Sequence, residues 1–272
     1  MTDEKQQQKN LPIIQNFRLM DDDFMNVCFS DNLSLTEFVL RIIMERNDLH
    51  VVHVETQKTF TNFLGRSVRF DIDAIDDAGV EYDIEIQQSS ANADPRRARY
   101  HSSVMDCNSL KKSQLFKDLR ESYVIFITER DVLGEGEPIY VIERTIVKSG
   151  RLFGDGEHII YVNCAHKDVA TELGKLVHDL TCSNPDEMCF KEIADVVRYF
   201  KETEEGREEM CKLMDDLINE AVTEAVAENT ENNRTEFAWK LLQRGGFSLD
   251  SIAELTDLSL ERVREIADQK VA

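Results

Sequence analysis

The chain has 272 residues, 42% of them hydrophobic, enough for one sizeable core with an appendage and too apolar for a disordered polymer. Its 53 acidic residues outnumber 32 basic ones, for a formal charge of -21 at pH 7, which excludes general attraction to nucleic acid or anionic lipid; any phosphate-binding surface has to be local. The six cysteines contain no C-x-x-C pair, the amino terminus has no apolar signal core, and no window offers about eighteen uninterrupted apolar residues, so the expectation is a cytoplasmic protein with reduced thiols and no membrane contact.

Residues 1–16 are polar and are expected to be loosely held until Phe17. Ser34, Leu35, Thr36 and Glu37 match a capping box that opens a helix running to about Arg46, with Leu35, Phe38, Val39, Ile42 and Ile43 on its apolar side. Glu37 has two readings: it completes the cap, or it turns toward the acidic hairpin described next. Leu49 to Gln57 reads as a strand, in which His50 and His53 fall on opposite faces and are ordinary polar positions.

The densest signal is a hairpin. Val68, Phe70, Ile72 and Ala74 alternate with charged residues in its first arm, as Tyr82, Ile84 and Ile86 do in its second, the period of half-buried strands. An Asp77-Ala78-Gly79 loop, with Gly79 in the left-handed position, puts both apolar sets on one face and Asp71 opposite Glu85. The other face then carries Arg69, Asp71 and Asp73 against Glu81, Asp83, Glu85 and Gln87. Like charges directly opposed destabilise a sheet. Either the face is solvated, or a hard cation such as Mg²⁺ with oxygen ligands compensates it.

Asp94 and Pro95 are suited to start a helix that carries Arg96, Arg97, Arg99, Tyr100 and His101. From Ser89 to Arg120 there are seven Lys and Arg against three Asp, a local excess of +4 beside the carboxylates. Cations next to a metal-binding acid pair suit a phosphodiester; a solvated helix face is the other reading. Tyr123 to Thr128 reads as a central strand covered on both faces, Pro138 to Ile146 as an alternating strand and His158 to Asn163 as the last one. Gly154 and Gly156 are followed by no helix of the right spacing and form no phosphate loop.

Beyond Lys167 the pattern is helical: Ala170 to Leu180, Asp186 to about Glu202, a long stretch at 204–229, Phe237 to Arg244, and two short helices opened by Ser248 and Ser259. The last two have helix-turn-helix proportions, yet residues 201–272 hold nine Lys and Arg against eighteen Asp and Glu. A packing or self-association tail is expected rather than a DNA-reading one, with a homodimer formed through 204–229.

Taken together, Asp71, the run Ile84 to Gln87, Arg96 and the run Arg99-Tyr100-His101 resemble the PD-(D/E)XK nuclease family transposases, the recombination-promoting nuclease group. The similarity extends through Asp21 to Met25, Leu35 to Glu37, Val54 to Gln57, Gly65 to Ser67, Phe126 to Glu129, Ile142 to Arg144, Phe153 to Gly156 and Ile160 to Asn163. The resemblance implies an α/β restriction-endonuclease-like core over 17–203, a mixed sheet flanked by helices, followed by an all-helical extension over 204–272. It implies metal-dependent DNA hydrolysis, with Asp71 and Glu85 holding Mg²⁺ (Mn²⁺ as a substitute), Gln87 orienting a water where the wider superfamily has lysine, and Glu37 as an acidic site residue. Arg96, Arg99 and Tyr100 would grip the DNA backbone, and Asp73 and Asp83 would stand behind the metal ligands. A nuclease-like fold that holds nucleic acid or protein without cutting is the alternative, because glutamine is neither cation nor base.

Overall fold

The computed structural model describes residues 11–60, 66–213, 234–235, 237–242 and 248–268. Two compact units divide the chain, Met1–Cys211 and Lys212–Ala272.

The first unit is built on a six-stranded mixed sheet, in the order β1 (Val51–Phe60), β2 (Val68–Asp76), β3 (Glu81–Gln87), β4 (Ser122–Thr128), β8 (Glu157–Asn163), β5 (Ile139–Ile142). β1, β2 and β3 run antiparallel, β3, β4 and β8 parallel, and β5 closes the edge antiparallel to β8. The hairpin register pairs Ile72 with Ile84, Asp73 with Asp83 and Ala74 with Tyr82, as the even parity of the sequence demands. Its turn is short because Gly79, at φ +83°, adopts a left-handed backbone open to few other residues. Asp76 closes the turn, accepting from the Val80 N–H at 2.8 Å and from the Tyr82 hydroxyl at 3.0 Å.

The parallel step from β3 to β4 needs a crossover, and α3 (Pro95–Ser109) supplies it, with Asp94 accepting from the Arg96 N–H as cap. α3 covers one face through Ala98 and Met105, which join Val68, Phe70, Val124, Phe126 and Tyr161 in a buried cluster. Ile125 and Ile127, on the other face of β4, are equally buried, so this central strand is covered on both sides. Helices α1 (Asp22–Phe29), α2 (Leu33–Ile43), α4 (Glu172–Thr181) and α5 (Lys191–Glu202) flank the sheet and pack on one another through aromatic pairs such as Phe24 with Phe200 and Phe38 with Phe190. Lys201 of α5 is wholly buried and donates to the carbonyls of Gln15, Phe17 and Ser183, tying the entry to α1 onto the end of α4.

Several expectations are corrected. Asn32 caps α2 by accepting from the Leu35 N–H, so Ser34 lies inside the first turn, and the helix stops at Ile43 before Glu45 turns left-handed at φ +51°. The strand expected over Pro138 to Ile146 is split into β5 and β6 (Thr145–Ile146), which pairs with β7 (Arg151–Leu152) in a separate ribbon. The Asp186 helix starts only at Lys191, after a single 3₁₀ turn. Strict alternation also fails in β2. Phe70 and Asp73 both face α3, although they stand three positions apart, so the strand slips once where its ladder to β3 ends at Ile72. Most of the 204–229 stretch lies outside the described residues.

In the second unit, α6 (Leu249–Thr256) and α7 (Leu260–Asp268) are capped by Ser248 and Ser259 and share a small core of Ala238, Leu241, Ile252, Val263 and Ile266.

Candidate active site

The site begins where backbone pairing stops. Past Ile72 and Ile84 the two strands are joined by side chains: the Asp71 N–H donates to Glu85 Oε1 at 3.1 Å, and the Ile86 N–H donates to Asp71 Oδ2 at 2.9 Å. The Gln87 amide nitrogen then lies 3.3 Å from Asp71 Oδ2 and 3.4 Å from Glu85 Oε2. Oxygens of both acids thus converge on one amide nitrogen. The solvated acidic face is therefore overturned: Asp73, Asp83 and Glu85 are fully buried and Asp71 is 8% exposed.

The reason lies in the next strand. The parallel register sets Asp83 beside Val124 and Glu85 beside Phe126, so both acids look at α3 rather than at water. α3 answers with Arg97 and His101, one turn apart on its inner face. Arg97 donates through one terminal nitrogen to Glu85 Oε2 at 2.7 Å, through the other to the Asn92 carbonyl, and through Nε to His101 Nε2 at 3.1 Å. An imidazole nitrogen that accepts carries no proton, so His101 Nδ1 holds it and donates to Asp83 Oδ2 at 2.7 Å. Burial drives the His101 pKa down, consistent with a neutral ring, and Phe70 stacks on it with centroids 5.2 Å apart.

Burial is also the first cause that raises every carboxyl here. It pushes Asp71 up to about 6 and raises Asp73, Asp83 and Glu85, with neighbouring carboxylates adding to the effect on Asp71, Asp83 and Glu85 and Arg97 opposing it. Lys58 of β1 sits on Asp73 and opposes the rise at that residue. One oxygen of Asp73 and one of Asp83, on directly paired residues, have no hydrogen-bond partner.

A cavity of about 650 Å³ opens over Asp71 and Gln87, walled by Arg66, Arg69, Arg96 and Arg97 with Tyr100, His101 and Asp22. Four arginines against two acids make this an electropositive hollow in a strongly acidic molecule.

Asp71, Glu85 and Gln87 meet as the sequence predicts, Arg96 and Tyr100 line the hollow, and Asp73 and Asp83 lie buried along the same strands. Arg99 is exposed and does not line it. Glu37 is not brought there: its carboxylate accepts from the Val51 N–H and pairs with Arg41 at 2.7 Å. Val51 pairs with Asp76, five residues from Asp71, which is about 16 Å along the strand. The sequence places Arg97 and His101 on the basic helix but gives neither a site role, although their spacing of four opposite an acid-bearing strand was the available signal. Arg66 and Arg69 carried no such signal.

The donors suit a hard divalent cation: carboxylate oxygens from two strands, with buried oxygens left unpartnered beside them. Asp83, Glu85 and His101 also present ligand atoms within 4.8 Å of one another. A second such group, His178, Asp179 and Cys189, is mainly a joint between helices, since Asp179 accepts the Cys189 and Phe190 N–H groups at the start of α5.

A mixed sheet whose second and third strands converge two acids beside an arginine-bearing crossover helix defines a restriction-endonuclease-like PD-(D/E)XK fold. The chain belongs to the PD-(D/E)XK nuclease family transposases, whose family model matches residues 30–240. No curated protein and no solved structure matches it.

Proposed function

We propose that this protein is a metal-dependent endonuclease that hydrolyses DNA phosphodiester bonds. The observation that carries the reading is the convergence of Asp71 and Glu85 on one amide beneath an arginine-walled hollow. Asp71 and Glu85 would hold a cation of the Mg²⁺ class, with Mn²⁺ as a substitute. Bound there, such an ion supplies Lewis acidity toward a phosphoryl oxygen and a more acidic water.

The chain's own residues do the rest. Arg66, Arg69 and Arg96 bind phosphates flanking the scissile one, fixing the strand without reading its bases. The Gln87 amide donates and so orients an attacking oxygen, but it removes no proton. Arg97 holds Glu85 Oε2 in the free protein, and His101, locked in one tautomer between Arg97 and Asp83, keeps the guanidinium in plane. Catalysis is assigned to 17–203, and the pairing of two copies to 204–229 of the C-terminal extension, in a cytoplasmic protein. Among the described residues no helix is long and apolar enough to cross a membrane.

The test is cleavage of supercoiled plasmid with Mg²⁺ or Mn²⁺ by the wild type and by Asp71→Ala and Glu85→Ala. A loss of at least about 100-fold in both variants is expected, as for removal of a metal ligand. Equal cleavage by all three proteins refutes the site. The replacement of lysine by Gln87 favours the second reading, a fold that holds nucleic acid without cutting it. Wild-type protein that binds DNA but leaves plasmid intact in both metals would establish that one instead.

A further inference from the structure

A second basic surface lies at the far end of α3, outside the hollow. The helix begins in the cavity wall and ends at Ser109, about 22 Å away for fifteen residues. The segment that follows carries Lys111, Lys112, Lys117 and Arg120, all exposed, and none of the four forms an ion pair with a described residue. The three lysines have no partner among the described residues, while Arg120 acts electrostatically on the buried Glu81. Cations left open amid surplus acid suit a polyanion.

Between them stand two apolar side chains, Phe116 at 87% exposure and Leu115 at 60%. They are held on a built turn rather than a loose one. The Lys111 N–H donates to the Gln114 side chain at 2.7 Å, the Leu115 N–H to Asp118 Oδ2 at 3.0 Å, and the Asp118 N–H returns to the Leu115 carbonyl at 2.8 Å. An aromatic ring fixed in solvent among lysines is what nucleic-acid proteins use to stack a base while the cations take the backbone. Ordering it in advance lowers the cost of binding.

We propose that the 110–121 segment is a second nucleic-acid contact, in which Lys111, Lys112 and Lys117 meet phosphates and Phe116 stacks on an unpaired base of single-stranded DNA. It rests on the nuclease reading for the kind of ligand and adds a place and a preference to it.

The experiment measures binding by full-length protein in EDTA, so that nothing is cut, to a fluorescein-labelled oligodeoxynucleotide, single-stranded or annealed. Single-stranded DNA is expected to bind tighter, and Phe116→Ala is expected to weaken it about tenfold with little change for the duplex. A Lys111→Ala/Lys112→Ala/Lys117→Ala protein is expected to lower the slope of log affinity against log salt by about two. Unchanged single-strand affinity in Phe116→Ala overturns the proposal, as does failure of the wild type to bind either probe. So does a Phe116→Ala protein that loses only self-association in sedimentation, which would mark a protein-docking surface. The two readings fail separately: plasmid cleavage insensitive to Asp71→Ala sinks the active site but not this contact, and cleavage dependent on Asp71 with binding blind to Phe116 does the reverse.

Discussion

Asp83, His101, Arg97 and Glu85 form a continuous hydrogen-bonded run of side chains across β3 and α3. Its cost is proton affinity. Carboxyls whose pKa is raised by burial hold protons in the folded chain that they release when unfolded. Their contribution to stability is therefore present below the ordinary carboxylate range and is lost as pH rises through the folded value, which for Asp71 is about 6. Without divalent metal, urea midpoints are expected to fall between pH 5 and pH 8, and Glu85→Gln is expected to flatten that decline; a midpoint that climbs across the interval contradicts this account. Asp83, with one oxygen unpartnered, burdens the fold most plainly. Asp83→Asn keeps the acceptor for His101 and removes the buried charge, so at pH 8 it is expected to gain about 1 kcal/mol in denaturant titrations while cleavage falls.

At the scale of elements, a hairpin and one crossover helix position everything. Gly79 makes the hairpin turn tight, and nothing lies within 4 Å of where its Cβ would stand, so the penalty for a side chain is one of backbone conformation alone. Gly79→Ala is expected to cost about 1 kcal/mol, read as a shift in the melting curve, with Gly79→Asn costing less. Lys201 is the opposite case, a charge buried to order three carbonyls from two segments. Lys201→Met leaves those acceptors unpaired and is expected to cost about 3 kcal/mol or more, seen as early proteolysis near residues 11–20. The strands of the hairpin were legible because alternation is local. The start of α2 was not, since Ser34 and Asn32 both have capping chemistry and only the approach of the preceding chain selects Asn32.

For the whole molecule, the excess of acid confines the proposed metal and nucleic-acid contacts to a small, concentrated area. Mg²⁺ or Mn²⁺ at one hundred times its dissociation constant is expected to add about 2.7 kcal/mol, and to raise the melting temperature by several degrees in wild type but not in Asp71→Ala. An equal shift in both proteins would place the ion elsewhere.

By itself the sequence determined the hairpin, its parity, the opposition of Asp71 to Glu85, the basic helix beside them and the family, because each is written in neighbouring residues or in their fixed spacing. Tertiary structure alone decided that the acids are buried, that Arg97 rather than Arg99 reaches Glu85, and that Glu37 bonds the start of β1 instead of the acid pair. Those outcomes depend on the register of β4 against β3 and on how α3 is rotated over them, and pairings between distant segments are set by packing that no single stretch of chain contains.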